Sequence, residues 1–190
     1  MLRQLRPALV SVFVLVVLCG FIFPGVVTAL AQVLFPHQSA GSLIAPGGKV
    51  VGSELIGQAF SGSRYFQPRP SAAGAGYDGA ASGASNLGPS NPVLLADVRS
   101  RIAAYQRLNG LAASTPVPVD AVTASGSGLD PEISPANARL QAPRVARARS
   151  LPLAQVLALV RENTTGRSLG FLGEPGVNVL ELNLALNELK

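Results

Sequence analysis

Residues 7–35 read PALVSVFVLVVLCGFIFPGVVTALAQVLF, and this stretch decides the architecture. It is predominantly apolar, interrupted mildly by Ser11, Thr28 and Gln32, and no charge occurs between Arg6 and Lys49. About 20 such residues let a helix cross ~30 Å of hydrocarbon. The expectation is a transmembrane helix over 7–35, a cytoplasmic N-terminus over 1–6 and a soluble extracytoplasmic domain over 36–190. The orientation follows from Arg3 and Arg6 before the span and the lack of any Lys or Arg after it until Lys49. A cleaved signal peptide is the alternative, because Ala29-Leu30-Ala31 fits a small-x-small cleavage site. Against it, the unbroken run Ala8–Phe23 is longer than an ordinary signal core, and apolar residues continue through Val33, Leu34 and Phe35. Both readings put the domain outside the cytoplasm.

Within the span, Pro24-Gly25 predicts a kink in the outer third. Ionisable groups inside a membrane segment usually mark an ion path or proton relay. This span has none, so it reads as an anchor that does not itself carry an ion. Its small residues Gly20, Gly25, Ala29 and Ala31 would admit close approach by a partner helix. Membrane lipid is the other expected neighbour.

The composition is 48% hydrophobic but only 13% charged and 5% aromatic, which concentrates apolar residues in the span and leaves a modest, turn-rich core elsewhere. Of the 15 Lys and Arg, 13 lie beyond Pro36 against all 10 acids, a balance too mild for a nucleic-acid partner. The one cysteine, Cys19, sits in the span, so the domain has neither a disulfide nor a thiolate site. The one histidine, His37, directly follows the span and is a poor base for a catalytic triad. No phosphate loop is present either. Beside the lone Gly48-Lys49 pair, position 43 is Leu where a Gly is required and Val50 cannot ligate magnesium. From the residues, no cofactor and no catalytic site are expected.

The coarse pattern predicts a small α/β or α+β domain. Pro46-Gly47-Gly48 reads as the turn of a hairpin, and 71–92 as a long Gly/Ala/Ser/Asn loop of the kind that often forms an interaction surface. Asn91-Pro92 opens a helix that Asn109-Gly110 closes. An edge strand is expected within 115–125, then a helix from Ser134-Pro135 that Pro143 should break into 135–141 and 143–149. Ser150 precedes another helix carrying Leu153, Val156, Leu157 and Val160 on one face. Gly173–Gly176 should turn, Val177–Leu182 extend, and Asn183–Leu189 form a closing helix. Arg139, Arg144, Arg147 and Arg149 fall within eleven residues. Guanidinium forks suit phosphate or carboxylate, although a solvated helix face explains them as well.

Several stretches in order carry a family likeness: Leu5-Arg6-Pro7-Ala8, Leu55-Ile56-Gly57-Gln58, Tyr65-Phe66 with Arg69-Pro70-Ser71, Ser85–Pro92, Val122–Ser125 with Ser127–Asp130, Gln141 with Pro143–Ala146, and Val177–Leu186. Together they resemble the KdpC family, the C subunits of bacterial potassium-transporting P-type ATPases. The resemblance implies an accessory, non-catalytic subunit beside a channel-like potassium-binding subunit and an ATP-hydrolysing P-type subunit. It also implies a rival role, a chaperone raising the ATP affinity of the hydrolysing subunit. In that role Gln141, with Arg144 beside it, would contact ATP as a weak regulatory ligand. Two departures from the family pattern stand out: Asn187 where Asp is frequent, and Gly176 where a larger residue is frequent.

Overall fold

A computed structural model, describing residues 2–189, divides into a unit ending at Val51 and a unit beginning at Gly52. In the first unit α1 (Leu2–Val17) runs into a π-helical turn over Leu18–Ile22 and then α2 (Phe23–Leu34). Arg3–Leu34 is one apolar helical rod of 32 residues, long enough to cross a membrane. Pro24 cannot donate to the carbonyl four residues earlier. The helix accommodates it by lengthening the preceding turn, where Phe23 N–H donates to the Leu18 carbonyl. Where the sequence suggests a kink at Pro24-Gly25, the structure has a π turn over Leu18–Ile22.

A one-turn helix α3 (Pro36–Ser39) and the short strand β1 (Leu43–Ile44) follow. Pro46–Gly48 then turn as a 3-10 element with Gly47 and Gly48 at positive φ, and Val51 N–H closes the turn on the Ile44 carbonyl at 2.9 Å. The turn expected at 46–48 is present.

The second unit opens with β2 (Gly52–Ser53) and then a long irregular segment up to α4 (Pro92–Asn109). Asn91 caps α4 by accepting from Val93 N–H, and Gly110 ends it in the left-handed conformation, as its sequence signals require. No edge strand forms at 115–125; the segment instead makes a 3-10 turn over Val119–Ala121. After β3 (Glu132–Ile133), α5 (Pro135–Arg149) continues through Pro143 without a break. The acceptor that Pro143 leaves unused belongs to Arg139, an exposed residue that water can reach, so the missing bond is tolerated.

Ser150 is the left-handed end of α5 and, as expected, precedes the next helix. Helix α6 (Leu153–Glu162) begins after Pro152. Strand β4 (Thr164–Thr165) then leads to a reversal at 169–171, earlier than the turn expected at Gly173–Gly176, and β5 (Gly176–Asn178) returns. The extended stretch expected over 177–182 stops at Asn178. Its side chain accepts from Leu180 and Glu181 N–H and starts α7 (Val179–Glu188). Asn178-Val179-Leu180-Glu181 has the spacing of an N-terminal capping box.

The domain is of the α+β kind, helices with a short antiparallel sheet ordered β3-β5-β4. Ile133 and Thr164 both face Val177 across the central strand. That strand is wholly buried, and its Val177 joins Phe66, Ile133, Val145, Val156, Leu182 and Leu186 in the core. The loop at 71–92 is anchored rather than free. Ser71 Oγ donates to the Gly128 carbonyl and accepts from the amides of Ala73 and Tyr77. Gly128 stands at φ +69°, and a Cβ there would fall 2.6 Å from Ala73 N and Gly83 O, so only glycine lets the loop close. The Tyr77 hydroxyl donates to the Arg69 carbonyl, and burial pushes its pKa up to about 12.

Candidate functional site: a polar seam on α5

Every fourth or third residue along one face of α5 is a buried polar group: Asn137, Gln141 and Arg144. The two nucleotide candidates of the sequence, Gln141 and Arg144, therefore do lie together, with Arg144 Nη2 donating to Gln141 Oε1 at 2.9 Å. They are only 1% and 4% exposed, and their hydrogen-bonding groups are turned inward.

Gln141 treats the backbone of Gln67 as a neighbouring strand would. Its Oε1 accepts from Gln67 N–H at 2.8 Å and its Nε2 donates to the Gln67 carbonyl at 3.0 Å. One residue earlier and from α7, Asn183 does the same to Phe66, accepting at 2.8 Å and donating at 2.9 Å. The two amides thus pin consecutive residues of an irregular strap, 62–68, and satisfy backbone groups that burial would otherwise leave unpaired.

Arg144 holds the start of the same strap. Its Nη1 donates to the carbonyls of Ser63 at 2.6 Å, Tyr65 at 3.0 Å and Gly62 at 3.3 Å, while Nε donates to Asn109 Oδ1 at 2.9 Å. No carboxylate accepts from it, so carbonyl dipoles stabilise the charge. Burial pulls its pKa below the usual arginine value, opposed by Tyr105. The seam continues outward: Tyr105 Oη donates to Asn137 Oδ1, whose Nδ2 donates to Asp120. Asp120 also accepts from Ser134 N–H and Oγ at the start of α5. Burial first, and Asp120 second, raise the Tyr105 pKa and keep the phenol a donor.

At the surface end, Arg149 lies 4.9 Å from the Tyr65 ring centroid. It donates to the carbonyls of Arg64 and Leu186 and to Asn187 Oδ1. Asn187, one of the two departures from the family pattern, thus supplies an acceptor to an arginine as an aspartate would, without its charge. Of the four clustered arginines, Arg144 and Arg149 are committed to the strap, and Arg139 and Arg147 are exposed.

A family model described as the K+-transporting ATPase, c chain, matches residues 5–188. The chain belongs to the KdpC family. Three relatives, each described as a potassium-transporting ATPase KdpC subunit, align over nearly all of both chains. A Mycobacterium tuberculosis protein is 56% identical over 189 residues, covering 100% of each chain. One from Rhodospirillum rubrum is 59% identical over 188 residues, covering 99% of this chain and 97% of the relative. One from Gemmatimonas aurantiaca is 55% identical over 190 residues, covering 100% and 94%. KdpC membership makes this chain a subunit of a potassium-transporting ATPase, and its apolar rod fits a membrane location.

The small residues named for helix packing are distributed along that rod. Gly25 and Ala29, four apart, share a face. A Cβ at Gly25 would meet nothing within 4 Å, and Gly20 borders a groove shared with Val12, Val16 and Cys19. Sequence reasoning missed Asn183, Asn137, Asn109 and Asp120. The available signal was polar residues at core spacing, such as Asn183 between Leu182 and Leu186.

Proposed function

We infer that the chain is a non-catalytic accessory subunit that stabilises assembly of the channel-like potassium-binding subunit with the ATP-hydrolysing P-type subunit. In this reading the rod is a single membrane anchor with its N-terminus in the cytoplasm and the domain outside. The carrying observation is the 32-residue apolar rod, whose charges Arg3 and Arg6 stand at one end, with no cation following until Lys49. Gly20, Gly25, Ala29 and Ala31 give partner helices close access. The polar seam supports the same view, because Gln141 and Arg144 serve to hold the domain in one shape.

Deleting residues 7–35 should dissociate the chain from the two larger subunits in detergent. Full transport by the span-less variant would overturn the reading. A cysteine introduced near residue 80 should react with an impermeant reagent in intact cells.

The rival role, binding ATP through Gln141 and Arg144, draws on their 2.9 Å contact. Nucleotide would have to replace the bonds those side chains give the strap. ATP binding by the full chain that vanishes in Gln141→Ala, with the unfolding midpoint unchanged, would favour it.

A further inference from the structure

The hairpin between β4 and β5 ends in a tight reversal, where Ser168 and Leu172 face each other and the Ser168 carbonyl accepts from Leu172 N–H at 2.9 Å. Three apolar side chains stand on this turn in the open: Leu169 is 83% exposed, Phe171 68% and Leu172 50%. Leu169 is also held at φ +54°, the left-handed region that a leucine enters only at a cost. Gly or Asn would fit that backbone better. Neither the exposure nor the strain benefits this chain's own fold, and conflicts of this kind concentrate at functional sites. At the base of the tip, Arg167 and Glu174 neutralise each other in a two-pronged ion pair with both contacts at 2.8 Å. The tip therefore offers apolar shape and no free charge.

We propose that the tip Leu169-Gly170-Phe171-Leu172 is the domain's docking knob for an uncharged apolar recess on another subunit of the same ATPase. This deepens the assembly role above and rests on it. A tight turn closed by the Ser168–Leu172 bond sets the three side chains beside one another, and pre-organisation of this sort improves recognition of a fixed recess. A bilayer reads apolarity alone and would accept the same side chains on a relaxed backbone, while the internal ion pair leaves nothing for a charged headgroup.

The test uses the full chain co-expressed with its larger subunits and purified in detergent, where no bilayer competes. Leu169→Asn, Leu169→Gly and Phe171→Ser are compared for the rate at which each variant washes out of the complex and for the unfolding midpoint of the chain alone. Release should quicken roughly tenfold for each lost anchor, with the Leu169 variants no less stable than the parent chain. Unchanged release in all three overturns the knob. So does unchanged release joined to lost binding to phosphatidylcholine vesicles, which assigns the tip to lipid, or a dimer of the chain that the variants split, which assigns it to a second copy. Failure of the unsubstituted chain to co-purify with either larger subunit overturns the assembly role itself, and the knob with it.

Discussion

The seam on α5 and the tip of the β4–β5 hairpin belong to one domain and place their chemistry in opposite directions. At Asn137, Gln141 and Arg144 the side chains are polar, buried and bonded to the chain's own backbone. At Leu169, Phe171 and Leu172 they are apolar, exposed and touch little of it. The seam is a device for stability. A buried polar group is tolerated only when satisfied, and removing one partner strands the others. The tip resembles half of an interface, because exposed apolar groups on a fixed scaffold gain free energy only when another surface covers them. Substitutions in the two regions should therefore differ in sign as well as size.

The largest effect is expected at Arg144. Arg144→Leu keeps volume but leaves three strap carbonyls, Asn109 Oδ1 and Gln141 Oε1 without their donor. The loss should be about 3–5 kcal/mol, read as a fall in the thermal midpoint of the full chain in detergent. A shift within experimental scatter would mean that water replaces the guanidinium and the seam does not hold the strap.

Gln141→Ala and Asn183→Ala come next, at about 2–3 kcal/mol each, since each unpairs an N–H and a C=O of the strap. They grip neighbouring residues, Gln67 and Phe66, so releasing one should loosen the other. The double variant should cost less than the sum of the singles by roughly 1 kcal/mol. Strict additivity would show two independent pins rather than one clamp.

This clamp could not be read from the sequence, and the reason is distance along the chain. Gln141 meets Gln67 across 74 residues and Asn183 meets Phe66 across 117. A polar residue at core spacing announces that it is satisfied but not by what. The long apolar helix and the ends of α4 were legible because their causes are local: an uncharged apolar run, Asn91-Pro92, and Asn109-Gly110. Asn178 departs from its expected element for an intermediate reason. Asn178 lies in an apolar run that suits a strand, yet it caps α7. Gln141 and Arg144 stand side by side, but their burial depends on the strap, which has no regular pattern to announce it.

At the tip the sign reverses. Leu169→Asn removes a strained, exposed leucine and should stabilise the chain by up to roughly 1 kcal/mol, seen as a small rise in the thermal midpoint. A substitution that helps folding while weakening retention in the complex is the signature of a residue kept for recognition. Destabilisation would place the tip with the seam, as a structural element, and erase the contrast.

The smallest effect concerns Glu132, which combines features of both regions: charged like Arg144 in the seam, partly open to solvent like the tip. Its carboxylate lies over Gly176, where a Cβ would come within 2.2 Å of Oε2, so the second departure from the family pattern makes room for it. Burial first, and the neighbouring Asp130 second, raise its pKa above the ordinary 4.5. An acid whose pKa is higher folded than unfolded binds its proton more tightly in the folded state. Stability is then greatest when the group is protonated and declines as pH rises from below 4.5 through the raised value. Glu132→Gln should flatten that decline and lift the midpoint at neutral pH. Gly176→Ala should flatten it too at little cost, since the clash falls on the end of a flexible side chain that can swing to solvent. If the parent chain's midpoint instead climbs steadily across this window, Glu132 is satisfied in the fold. It would then belong with Gln141 and Arg144, and the free tip would stand alone against them.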